Sequence, residues 1–158
     1  MKSKLLDVTG GKKTFALIFE EGDEVIEEMT AFAKDEKIDA ASFTAVGAFE
    51  DVTLGYFKMD TKQYKKIPVN EQVEVLTMAG NVAIKEEHHE PKIHAHVVVG
   101  KADGTAVGGH IMEAHVRPTL EVVLEETPAH LRRQIDDKTG LALINLDASE
   151  ASKVRVQP

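Results

Sequence analysis

The stretch 93–111 sets three histidines around one tight turn, and this constrains the fold more than any other feature of the chain. His94-Ala95-His96 and Val107-Gly108-Gly109-His110 flank Lys101-Ala102-Asp103-Gly104, whose Asp-Gly tip marks a β-hairpin. A strand sends alternate side chains to the same face, so His94 and His96 project together, roughly 7 Å apart along the backbone. Counted outward from the turn, paired residue numbers sum to a constant near 206 or 207, which sets His96 opposite His110 or Ile111. The register with His96 against His110 also keeps His94 on that face. One histidine alone is more often a hydrogen-bonded structural residue. Three converging neutral imidazoles form a first-row transition-metal site with a coordination position left open. The pattern predicts a site and names no reaction.

The rest of the chain reads as strands around one helix. Residues 14–20 are β-branched, aromatic and apolar, and Glu21-Gly22-Asp23 breaks that strand. Asp23 is the expected N-cap of a helix over 24–36, where Val25, Ile26, Met29, Phe32 and Ala33 recur at helical spacing opposite Glu24, Glu27, Glu28 and Lys34. Strands are expected over 41–46, ending at Gly47, and over 52–58. A polar edge strand over 61–67 carries Lys62, Lys65 and Lys66, which oppose edge-to-edge aggregation. Residues 71–84 form a long apolar strand with a bulge or bend at Gly80-Asn81, and 85–92 a charged loop. Strands over 93–100, 105–116 and 120–125 follow, then one or two helical turns over 129–138, a closing strand over 141–146, and a polar tail from Asp147 that frays. This is an α+β chain: a largely antiparallel mixed sheet of seven or eight strands with one principal helix packed on it. A single domain spans 4–146, and 147–158 is a polar C-terminal tail.

Composition removes several classes of function. The chain has 158 residues, enough for one domain with a sizeable core. It contains no cysteine, which excludes thiol nucleophiles, disulfides and zinc ribbons. A net charge of -8 disfavours phosphate-rich partners such as nucleic acid. No apolar run is long enough for a signal peptide or a membrane span, so the cytoplasm is the expected compartment.

Other motifs are weaker. Gly108-Gly109 is either a bulge that re-aims His110 or two small residues in a strand. Glu113 is the one candidate general base near the trio, although regular alternation turns Glu113 and His115 to the opposite face. His88-His89 sits in a charged loop and reads as adventitious surface histidine. Gly10-Gly11-Lys12-Lys13-Thr14 lacks the spaced glycines of a phosphate loop and reads as a turn.

Taken together, Ile93-His94-Ala95-His96, Asp103-Gly104 and Val107-Gly108-Gly109-His110-Ile111-Met112-Glu113 resemble the prokaryotic single-domain members of the Plants and Prokaryotes Conserved (PPC) domain family. The runs 15–24, 45–49 and 52–57 look like that family's first strand with its helix start and the next two strands, so the resemblance covers roughly residues 12–146. It implies a mixed or antiparallel sheet with one principal helix, a homotrimer, and a metal such as zinc held by His94, His96 and His110. In land plants the domain follows an AT-hook in nuclear DNA-binding proteins. This chain has no Arg-Gly-Arg-Pro hook, so DNA binding is not implied. Plant members also carry a Gly-Arg-Phe-Glu-Ile-Leu partner-binding segment. Residues 71–76 keep Glu74 and the apolar pattern but lack the Gly and Arg. The apolar strands 71–84 and 119–125 present two greasy faces, one of which a neighbouring subunit would cover.

Three functional readings follow. The first is a metal-binding homotrimeric module that takes a small ligand or serves assembly. The second is a metal-dependent hydrolase or lyase using the open coordination position, with Glu113 handling protons. The third, weaker, is a DNA-associated regulator.

Overall fold

Two long strands carry the architecture. β3 (Ala40–Lys58) and β7 (Ala106–Glu126) lie antiparallel along most of their lengths. Each was expected as two shorter strands. Register shifts between Gly47 and Phe49, and again near Asp51 and Leu54, let each strand bend without leaving the ladder. β5 (Val73–Lys85) pairs with β3, and β6 (Glu90–Gly100) bridges β5 and β7, so β3, β5, β6 and β7 close on one another. The structure, a computed structural model, describes residues 1–87, 89–127 and 130–149. His88, Ala129 and the tail beyond Ser149 lie outside the described residues.

Around this ring, β2 (Lys12–Glu20) flanks β7 and β4 (Gln63–Val69) flanks β3. α1 (Val25–Asp35) packs against β6 and β7, burying Val25, Met29, Phe32 and Ala33, the apolar stripe read from the sequence. Phe32 meets Phe15 edge-on at 5.1 Å between ring centroids. The core extends through Leu17, Phe19, Phe49, Leu54, Met78 and Leu120. Among the described residues the sheet has nine strands, two of them outside the expected set. β1 (Lys2–Thr9) forms a hairpin with β2 through the Gly10-Gly11 turn. β8 (Arg132–Ile135) replaces the helical turns expected over 129–138, and it pairs with β9 (Ala142–Asn145), the expected closing strand. The backbone N–H groups of Ile84 on β5 and of Glu86 just past its end donate to the carbonyls of Leu131 and Arg133 at 2.9 and 3.1 Å. An extended segment satisfies those edge donors and a helix does not. The β5–β8 pairing is parallel, which makes the sheet mixed.

Three local expectations are corrected. The helix cap is Glu24, whose carboxylate accepts from the Glu27 N–H, while Asp23 accepts from the Glu20 N–H and pairs with the N-terminal amine. Gly80-Asn81 is not bulged: the β5–β6 register runs unbroken through it, and the shift falls between Val75 and Thr77. Gly80 is small for a different reason, since a Cβ there would lie 2.4 Å from the Phe43 ring and 2.5 Å from the His94 carbonyl oxygen. The loop over 85–92 is shorter than expected, because Lys85 pairs with Glu90 and residues 90–92 belong to β6.

Candidate metal centre

The hairpin between β6 and β7 adopts the register in which paired numbers sum to 206. His96 pairs with His110, Val97 with Gly109, and Gly100 with Ala106. The turn is held by Asp103, whose carboxylate accepts from both the backbone N–H and the hydroxyl of Thr105. Ile93, Ala95, Val97 and Val99 point into the core, so His94 and His96 share the other face. Gly108-Gly109 carries no bulge. A Cβ on Gly109 would stand 3.1 Å from the Gly55 carbonyl, so the missing side chain lets β3 approach β7 beside the histidines.

The three imidazole rings converge, with centroids 5.2 Å apart for His94–His96, 5.2 Å for His94–His110 and 5.5 Å for His96–His110. One nitrogen from each lies within 4.8 Å of the others. Burial lowers the His94 pKa, helped by the nearby charges of Arg133, His96 and Lys92. Burial, then His94 and His96, push His110 down to about 4. Metals bind the neutral imidazole, so both shifts favour the ligating form at neutral pH. The His110 Nδ1 atom is buried without a hydrogen-bond partner, a costly state for a polar atom unless something else engages it. Tyr64 of β4 lies against the His110 ring at 5.0 Å. Three converging nitrogen donors, with a buried unpartnered nitrogen on one of the rings, fit a first-row transition metal.

Glu113 does not join this group. A bulge at Met112 reverses the alternation, because Leu54 pairs with Ile111 and Thr53 with Glu113. Thr53 and Gly55 share a face of β3, and Gly55 pairs with His110. Glu113 and His115 therefore return to the histidine face, contrary to the expectation from regular spacing. The Glu113 side chain is exposed and its carboxylate acts electrostatically on His115. His115 itself pairs with Asp51 at 3.0 Å, which holds its pKa up.

The sequence did not mark Arg133, which is 4% exposed. It donates to the Ala142 carbonyl at 3.0 Å and to the Asn81 carboxamide oxygen. The β6–β7 ladder ends at His96–His110, and a cavity of about 320 Å³ opens beside His94 and His110. Its apolar lining includes Ile26, Ile93, Ile111, Met112, Leu141 and Leu143, and Tyr64, Lys92 and Arg133 add polar groups. Arg133 lies in Arg132-Arg133-Gln134-Ile135, which has no clear period, and pairing with β5 and β9 determines where it goes.

A mixed sheet with one helix and an outward-facing imidazole trio defines a small α+β domain built around a candidate metal site. The chain belongs to the Plants and Prokaryotes Conserved (PCC) domain family, whose sequence model matches residues 7–128. It is similar to the solved structure of a plant- and prokaryote-conserved protein from Pyrococcus horikoshii (31% identity, TM-score 0.78, covering 91% of this chain and 94% of that one). A metal-containing protein from Archaeoglobus fulgidus is 30% identical, with TM-score 0.76 and coverage of 91% and 96%. A protein from Ralstonia eutropha named as a candidate DNA-binding protein is 27% identical, with TM-score 0.79 and coverage of 90% and 95%. A curated relative, the bifunctional protein GlmU of Synechococcus, is 25% identical over 142 residues. The match takes in 88% of this chain and 21% of that relative's length. Among the described residues no helix is long and apolar enough to cross a membrane.

Proposed function

We propose that the chain is a cytoplasmic, homotrimeric metal-binding module in which His94, His96 and His110 hold zinc. The observation that carries this reading is the convergence of three imidazole nitrogens within 4.8 Å. The buried, unpartnered His110 Nδ1 supports it, as does the metal-containing relative from Archaeoglobus fulgidus. A zinc ion on three neutral imidazoles keeps a coordination position for an outside ligand. The chain's own part is to keep those imidazoles unprotonated and aimed at one point. X-ray absorption at the zinc edge of reloaded protein should report three nitrogen donors at about 2.0–2.1 Å. A spectrum of oxygen ligands alone would reject the site.

A second reading, a metal-dependent hydrolase or lyase, is favoured by the Met112 bulge, which brings Glu113 to the histidine face. Under it, Glu113→Gln keeps metal and trimer but loses turnover in a metabolite screen of the zinc-loaded protein. If the unmutated protein turns over nothing in hydrolase and lyase screens, the module reading stands. If Glu113→Gln breaks the trimer, Glu113 is structural.

A further inference from the structure

Arg133 is a buried cation without a buried anion. Its side chain is 4% exposed, its Nε has no hydrogen-bond partner, and among the described residues no carboxylate forms an ion pair with it. Among the described residues it donates to neutral oxygens, the Asn81 carboxamide and the Ala142 carbonyl. A guanidinium taken out of water in this way is costly unless a negative charge compensates it.

Arg133 also borders a second cavity, where the exposed Glu86 and Glu87 already engage Gln134 and Lys85, so the cavity beside the histidines points to where a compensating charge belongs. Lys92 also lines it, and no Asp or Glu does. Arg133 and Lys92 both act electrostatically on His94. A divalent metal on the histidines would make the cavity more positive still. Beside the histidines and Tyr64, most of the remaining wall is aliphatic, Ile26, Ile111 and Leu141 among them. The cavity volume of about 320 Å³ lies at the small end of ligand pockets. Arg133, Leu141 and Leu143 lie beyond residues 7–128, the part that the family's sequence model matches.

We infer that this cavity binds a small carboxylate with a short aliphatic tail. The carboxylate lies between the Arg133 guanidinium and the metal, and the tail lies against the aliphatic wall. The planar fork of arginine matches a carboxylate with two parallel hydrogen bonds, and apolar walls favour a hydrocarbon tail over a fully hydrated inorganic anion. The inference deepens the metal reading and rests on it for the second contact of the carboxylate.

The test is calorimetric titration of zinc-loaded protein with 3-methylbutanoate, 3-methylbutanamide and inorganic phosphate. The expected result is saturable binding of 3-methylbutanoate, with the amide and phosphate each at least tenfold weaker. Arg133→Met should weaken the carboxylate at least tenfold while elemental analysis shows unchanged zinc. Equal binding of carboxylate and amide, tighter binding of phosphate, or undiminished binding by a folded Arg133→Met protein overturns the inference and leaves the metal reading intact. Should Arg133→Met unfold the C-terminal hairpin, the carboxylate-to-amide ratio in the unmutated protein decides. Should the protein hold no zinc, the same titration of the metal-free chain separates the two ideas. Arg133-dependent binding of 3-methylbutanoate then supports the pocket without the metal, and no binding overturns the pocket too.

Discussion

Asn81 stands directly across the β5–β6 ladder from His94, and its carboxamide oxygen accepts a hydrogen bond from Arg133. One residue of β5 thus faces a candidate ligand on one side and fixes the C-terminal hairpin on the other. The metal centre depends on β5 being straight and close at this point.

Gly80, the preceding residue, gives that dependence a test. A Cβ there would stand 2.5 Å from the His94 carbonyl oxygen and 2.4 Å from the Phe43 ring. Gly80→Ala should therefore cost about 1–3 kcal/mol in denaturant unfolding, the usual range for an overpacked site. It should also weaken metal binding by shifting the His94 backbone. Unchanged stability and metal affinity would show that β5 and β6 separate more easily than their packing implies.

Acid should destabilise the metal-free fold through His110. In the metal-free fold its pKa lies at about 4, below the ordinary value of 6.5. The unfolded chain takes up a proton near 6.5 and the folded chain resists until about 4. Stability from this group is therefore present above pH 6.5 and falls as the pH drops toward 4. A proton NMR titration of metal-free protein should show one histidine titrating near pH 4. If every imidazole titrates near its ordinary value, the site is less desolvated than its packing indicates.

The hairpin at the site was legible because two periods agree. Alternation along 93–100 and the Asp103-Gly104 turn independently set His96 against His110, and burial in the core left that register no freedom to slip. The helix was legible from its apolar stripe. β1 was not, since every residue from Lys2 to Thr9 is exposed and no buried alternation marks it. β8 was missed because pairing at the β5 edge, a tertiary effect, overrides the weak local preference of Arg132–Ile135. The face of Glu113 was missed for a related reason. A single extra residue, Met112, inverts parity, and nothing in the local sequence announces it.

Subunit association is expected from the outer face of the sheet. Val46 and Leu76 are 55% and 54% exposed, and Val98 and Val123 also stand in water at positions alternating with core residues. Covering such side chains is the usual reason for closed symmetric assembly. Light scattering after size exclusion should report three chains per particle. A monomer at micromolar concentration would refute the trimer.

Binding to duplex DNA is expected to be weak. Phosphate contacts supply most non-specific affinity, and a chain of net charge -8 opposes them. Fluorescence anisotropy at roughly 150 mM salt should show no nanomolar complex. Tight binding there would favour a DNA-associated regulator.

The most direct measurement is the metal content of purified protein that has been stripped with chelator and reloaded with zinc. Elemental analysis should give about one metal per chain, and the His94→Ala/His96→Ala double variant, folded by circular dichroism, should hold none. Full metal content in that variant would contradict the three-histidine centre.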